Sequence, residues 1–442
     1  MAINMSLGGL YGPHDGSAPA EQYLSNLMGP AGRVLCIAIG NSGGQTIHAF
    51  STLVQETGDG SNLDDTPVMV FWAYPVQGMN IGVSVVELWY PAGQNVQWRV
   101  VWPIQGSRQA GPWLGTTTST QQATIASGPL QNVQLEMHSE IPYNDGRNVV
   151  NYGYVVVQSP QAGPFLGGYP FFIQLKGAGV PVHAWHIMRD MGAFVPAQVF
   201  IDSQVTPPAK LIEPDDNYTA ATPGTAGKVI TVGSYVTKVN WTDIDGALQT
   251  QPFATLGAIS GFSSKGPRRD GASTVEQQKP DVTAPGEAVI SALSSVLTQR
   301  PRSDIERDGV HQKMQGTSMS SPMVTGLCAL MLSKNSSLTN EQVKTILRTT
   351  ARDAGPAGWD GTWGAGKIDA VAALNAVQGG QRTPGDVNND GVVDSRDAIK
   401  VLRHIGGQET LTGDDLAAAN INGDGAVDNA DVDAILGKAV GL

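Results

Sequence analysis

"MQGTSMSSPMVTGLCALML", residues Met314–Leu332, is the stretch on which the reading of the chain turns. A Gly-Thr-Ser turn at 316–318 runs into a helix expected to open at Ser320–Pro322. Ser318 then sits at the mouth of that helix with its hydroxyl free to attack. A serine hydroxyl is a poor nucleophile at neutral pH until a positioned base takes its proton. The rest of the sequence is therefore read for the surroundings of this serine and for that base.

Far upstream, Ile3-Asn4-Met5-Ser6-Leu7 reads as a buried strand running into a glycine turn. A helical stretch near Glu21–Met28 follows, then a buried strand, "RVLCIAIG", ending at "NSGG". Strand, helix and continuously apolar strand are the signature of a parallel α/β sheet. Natural domains seldom begin in mid-core, so the chain is expected to start part-way through a gene's product. From Gln45 to Val205 short alternating runs such as "VMVFWAYP", "VVELWYP", "VQWRVVWP" and "NYGYVVVQS" are separated by Gly, Pro and Asn turns. That is how an antiparallel β-sandwich or jelly roll reads. Its aromatic residues are expected to pack the core, with a carbohydrate- or peptide-binding face as the alternative. The α/β texture returns at Thr206, and "SSLTNEQVKTILRTTA" reads as a helix capped by Ser337 or Thr339. The expected boundaries are 1–45 and 206–377 for the α/β core, 46–205 for the insert, 378–385 for a linker and 386–442 for an acidic tail.

The chain has 442 residues, 41% hydrophobic and 15% charged, which suits a globular protein of several domains. A formal net charge of −12 argues against a nucleic-acid surface. No apolar run is long enough to span a membrane, and the start lacks the basic and apolar segments of a secretory signal. Cys36 and Cys328 lie in apolar runs and read as buried free thiols.

From Asp386 onward there are 11 acidic and 4 basic residues, a net −7 of the −12. Two repeats explain them: "DVNNDGVVDSRD" (386–397) and "NINGDGAVDNAD" (420–431). Each places oxygen side chains at loop positions one, three, five, nine and twelve, with Gly at six. Calcium takes six to eight hard oxygen ligands, and the glycine allows the bend that gathers them. Asp386, Asn388, Asp390, Asp394 and Asp397, with the Val392 carbonyl, would hold one ion. Asn420, Asn422, Asp424, Asp428 and Asp431, with the Ala426 carbonyl, would hold a second. Each loop leads into a helix, with apolar stripes at Ile399/Leu402/Ile405 and Val432/Ile435/Leu436/Val440. With Asp rather than Glu at position twelve, the duplicated plan resembles a type I dockerin. That resemblance implies a calcium-folded, all-α module that docks onto a cohesin domain, with Ser395/Arg396 and Asn429/Ala430 helping to select it.

The α/β part resembles the subtilisin-like serine proteases. "INMSLGG", "AIGNSG", "PGTAGKVITVGS", "GFSSKGP", "KPDVTAPG" and "GTSMSSPMVTG" fall in that family's order. The resemblance implies that Ser318 is the nucleophile and Asn41 the oxyanion-hole donor. It implies that Ser6, Leu7, Gly8, Gly9, Ala38, Ile39 and Gly40 line the pocket for the residue before the scissile bond. In this family the triad aspartate and histidine precede the "SLGG" strand, yet no "DTG"-type or "HGTHVAG"-type block occurs. None of the seven histidines sits in a comparable setting, and a strand at His311 would carry it away from Ser318. The expectation is an extracellular or cell-surface peptidase segment, dockerin-anchored and nearly inert as it stands. The alternative is an inert pseudo-protease acting as a binding component. A carbohydrate enzyme is disfavoured, because no carboxylate couple stands out in 46–205.

Overall fold

The computed structural model describes residues 1–55, 58, 60–73, 82–104, 107–127, 130–144, 150–159, 170–187, 192–202, 206–296, 299–377 and 383–441. Most of the linker expected at 378–385 lies outside the described residues.

The core is a four-stranded sheet in the order Ala2–Met5, Val34–Ala38, Ile230–Val236, Val282–Glu287. All three pairings are parallel, with Ala2 beside Val34, Ile230 beside Cys36 and Val232 beside Val282. The two central strands are buried at every position, because a sheet covered on both faces leaves no residue for water. Helix Thr317–Lys334 lies across all four strands. Val324, Leu327, Cys328 and Met331 pack between it and Val34, Cys36, Val232 and Val282. The two thiols are free and buried, as expected, and they meet there, Sγ to Sγ at 3.8 Å. Helix Asn340–Thr350 closes the same core; Thr339 caps it in a reciprocal box with Gln342, and Val343 and Leu347 are buried.

Between the second and third core strands the chain leaves to build a sandwich. Among the described residues its sheets have seven and five strands. Its first four strands alternate between the sheets: His48–Leu53 and Gly82–Pro91 lie in one, Val68–Ala73 and Gln97–Ile104 in the other. That is jelly-roll order. Trp98, Tyr90, Phe71 and Phe171 fill the space between the layers, so these aromatics are core. The short strand Pro214–Asp215 pairs with His48–Leu53, so the sandwich draws on residues beyond 205.

In the tail, helices Ser395–Ile405 and Asn429–Ala439 pack on one another, with Gly413–Ala419 between them in sequence. Val387, Ala398, Val401, Val432 and Ile435 form their core. The stripe Ile399/Leu402/Ile405 is not part of it: those side chains are 48%, 47% and 41% exposed. Periodicity finds an apolar face but not which of two neighbouring faces turns inward, and here Ala398 and Val401 do. Leu436 and Val440 are exposed as well.

Candidate active site

Helix Thr317–Lys334 opens ahead of the expected Ser320 and takes Pro322 into its interior. Proline has no N–H for the carbonyl four residues back, here that of Ser318. Ser6 takes the freed carbonyl: its hydroxyl donates to it at 2.8 Å across 312 residues of sequence. A bond the helix cannot make thus ties the first core strand to the turn carrying the serine.

Asn41 follows the second core strand. Its side-chain oxygen accepts from the Thr317 N–H at 2.9 Å and from the Thr317 hydroxyl at 3.0 Å. With the oxygen engaged, the amide presents its N–H end on the other side. The N–H of Ser318 lies in the first helical turn, where backbone donors have no intrahelical partner. A Cβ on Gly316 would lie 3.4 Å from Asn41 Nδ2 and 3.7 Å from Ser318 N, so both nitrogens border one small space. Gly316 has φ 141°, a backbone conformation that suits glycine, and it leaves that space open.

A cavity of about 330 Å³ opens beside them. Ser6 to Gly9, Ala38 and Gly40 line it with Asn41 and Ser318. Ile39, expected in the wall, is instead fully buried, its N–H donating to Val232 and its carbonyl accepting from Ala221. Leu10, Tyr11 and Ile187 also line the cavity and were missed. Leu10 and Tyr11 directly follow "SLGG"; Ile187 belongs to the insert, and no local signal could have brought it here. Among the described residues the lining holds no imidazole, carboxylate or ammonium group.

The imidazoles gather elsewhere, at the junction of insert and core. Asp215 Oδ1 lies 3.0 Å from His48 Nδ1, and His48 Nε2 lies 3.0 Å from His183 Nδ1. The carboxylate accepts the Nδ1–H of His48, whose other nitrogen then accepts from His183. Trp185 stacks with His14 at 4.3 Å and with His183 at 5.5 Å. Burial pushes His14 down to about 4. Burial lowers His48 as well, against the pull of Asp215. It also lowers His183, which His48 and Arg269 press further in the same direction. These rings are neutral wedges at neutral pH. His311 lies on a strand, Nδ1 2.5 Å from Asp308, as expected away from the serine pocket.

The two acidic loops share one geometry. Asp397 closes the first by accepting from the N–H groups of Asn388 and Asp394, both at 2.9 Å. Asp431 closes the second on Asn422 and Asp428 at 3.3 and 3.0 Å. Position six is glycine with positive φ in both, Gly391 at 86° and Gly425 at 90°. They differ at position one. Asp386 accepts from Asp390 N–H at 3.1 Å and Gly391 N–H at 3.0 Å, whereas Asn420 Oδ1 is buried with no partner.

The profile of the Subtilase family matches residues 210–366, and that of the Dockerin type I domain residues 384–437. The chain carries a subtilase domain and a type I dockerin domain. Serine protease AprX of Bacillus subtilis is 33% identical over 174 residues, which are 37% of this chain and 33% of AprX. Subtilisin-like protease SBT4.10 of Arabidopsis thaliana is 31% identical over 122 residues, 26% of this chain and 17% of that protein. The chain thus spans a third or less of these curated relatives. The structure of the Clostridium perfringens CspB protease shares the fold, with a TM-score of 0.61 at 18% identity. That superposition covers 85% of this chain and 66% of the other. No helix among the described residues is long and apolar enough to cross a membrane.

Type I dockerins bind calcium, and the donors in this dockerin suit it. Among the described residues no three Asp, Glu, His or Cys side chains form a ready metal cluster. The loop carboxylates are turned onto their own backbone N–H groups, and the repeats add amide and carbonyl oxygens to the donor set. The orphaned, buried Asn420 Oδ1 is the oxygen that asks for a cation.

Proposed function

We propose that the chain is the nucleophile-bearing part of a secreted subtilisin-like serine endopeptidase, held to a cohesin-bearing scaffold or cell surface by its dockerin. One observation carries this reading. Asn41 and Thr317, 276 residues apart in sequence, are bonded so that the Asn41 amide and the Ser318 N–H border one space beside the Ser318 hydroxyl. Ser318 Oγ would attack the peptide carbonyl and expel the amine through an acyl-enzyme. Asn41 Nδ2 and the Ser318 N–H would hold the oxyanion. One such donor is worth about 3–4 kcal/mol of barrier, a magnitude that itself comes from a subtilisin. Ser6 to Gly9, Ala38 and Gly40 would flank the residue before the scissile bond.

The proton of Ser318 needs an acceptor, and the cavity offers none among the described residues. The triad aspartate and histidine would come from polypeptide outside these residues, and this chain by itself would be nearly inert. An oxyanion hole and substrate binding alone leave roughly 10³–10⁴-fold over the uncatalysed rate. The test is peptide hydrolysis by purified chain and by its Ser318→Ala variant. Turnover at native-protease speed that vanishes with Ser318→Ala would refute the missing-base argument. The same lining favours a second reading, an inert pseudo-protease that serves as a binding component. A folded chain that refuses a serine-reactive phosphonate, even beside a longer product of the same gene, yet binds cohesin with calcium would establish it.

Two calcium ions would bind the dockerin. Asp386, Asn388, Asp390, Asp394 and Asp397 with the Val392 carbonyl would hold one; Asn420, Asn422, Asp424, Asp428 and Asp431 with the Ala426 carbonyl would hold the other. The exposed stripe Ile399/Leu402/Ile405 supports a cohesin face beside Ser395 and Arg396. Chelator titration followed by circular dichroism and cohesin binding tests this. Helicity and binding that survive excess chelator would overturn it.

A further inference from the structure

The cavity beside Ser318 is closed in part by a residue of the inserted sandwich. Ile187 follows strand Val180–His186 and is 8% exposed. Two sheet bonds hold this stretch: the Ile187 N–H donates to the Val85 carbonyl at 3.1 Å and the His186 N–H to the Ile47 carbonyl at 2.8 Å. Its side chain packs with Leu10, Trp89 and Trp185. Leu10 is the residue after the "SLGG" turn, so insert and pocket wall share one apolar cluster. The turn is tied down again where the Gly12 N–H donates to Glu87 of the insert at 3.1 Å. The insert thus forms one side of the pocket. Leu10, Tyr11 and Ile187 give that side an apolar surface, and the polar lining consists of hydroxyls, the Asn41 amide and backbone.

We propose that Ile187 is a specificity-determining residue, through which the insert makes this cavity select peptides with an uncharged, apolar side chain at the residue before the scissile bond. A charged side chain there would lose its water with no opposite charge to meet it. An aliphatic or aromatic one fits within about 330 Å³ and would bury its surface on Ile187 and Leu10. The inference rests on the peptidase reading above.

Binding, not turnover, tests it, because binding needs no base. Acetylated tetrapeptides ending in Leu, Phe, Asp or Lys, with a free carboxylate to face Asn41 and Ser318, are titrated into the full chain by calorimetry or NMR. The Leu and Phe peptides should bind at least about tenfold more tightly than the Asp and Lys peptides. Ile187→Ala should weaken the Leu and Phe peptides about tenfold and leave the Asp and Lys peptides unchanged. Ile187→Lys should raise the affinity of the Asp peptide above that of the Lys peptide. Asn41→Ala should weaken all four by a similar factor. If Ile187→Ala fails to fold, Ile187→Val carries the test through a smaller loss confined to the apolar peptides. Peptides that bind, respond to Asn41→Ala and keep their ranking in every Ile187 variant refute the inference and leave the peptidase reading standing. Peptides that bind nowhere near Asn41 and Ser318 refute both.

Discussion

The serine pocket and the histidine junction are opposites. Around Ser318 there is a positioned hydroxyl, an oriented amide and a cavity, but no group to take a proton. At the junction Asp215, His48 and His183 form an ordered series that could pass one, yet no nucleophile from the pocket joins them and aromatic rings enclose them. Residue type therefore does not confer a role. An imidazole among Trp185, Tyr218 and Phe50 is a satisfied wedge; the Ser318 hydroxyl at its helix mouth borders an open cavity. The sequence holds all the residue types of a triad, and the fold keeps them apart.

Acid should widen this contrast most. His14 is pushed from its ordinary 6.5 down to about 4, and His48 and His183 move the same way. A lowered histidine pKa means the unfolded chain binds more protons, so the stability is intact above about 6.5 and is lost as the pH falls toward 4. His14 alone accounts for roughly 3 kcal/mol. Glu21, raised by burial to about 7, acts oppositely, since its stabilising effect is full below its ordinary 4.5 and is lost as the pH rises through 7. Trp185 fluorescence and denaturant melts from pH 7 to pH 4, repeated on Glu21→Gln to remove that opposing carboxyl, should show the junction opening. A flat profile in both proteins would break the comparison.

His48→Ala should come next, at about 3 kcal/mol, because it leaves a cavity and strips partners from Asp215 and His183. Urea denaturation reads it, and peptide binding at the serine pocket should be unchanged in the protein that remains folded. Gly316→Ala should cost about 1–2 kcal/mol from backbone strain at φ 141°. It should also weaken product-peptide binding, since its methyl would stand between Asn41 Nδ2 and Ser318 N. The smallest effect belongs to Ser318. Ser318→Ala should shift stability by less than about 0.5 kcal/mol, its hydroxyl being half-buried with no hydrogen bond among the described residues. A large loss would mean that Ser318 is a structural residue.

Much of this was legible in the residues. The alternating runs of the insert became strands, Thr339 became a cap with its box, and the two loops took matching bends at Gly391 and Gly425. Other features were not. Pro322 entered a helix interior because Ser6 was there to take the carbonyl it frees. Ile399, Leu402 and Ile405 were set outward because Val432 and Ile435 pack on Ala398 and Val401 instead.

By itself the sequence determined what depends on neighbours along the chain: strand and helix periods, caps, turn glycines, loop spacings and the motifs around Ser318 and Asn41. These follow from short-range sterics and local hydrogen bonds, which a few adjacent residues specify. The tertiary structure alone decided which distant groups meet: Cys36 on Cys328, Ile187 on the serine cavity, and every histidine of the insert away from it. Such meetings are settled by how whole layers pack, and no single segment carries that information.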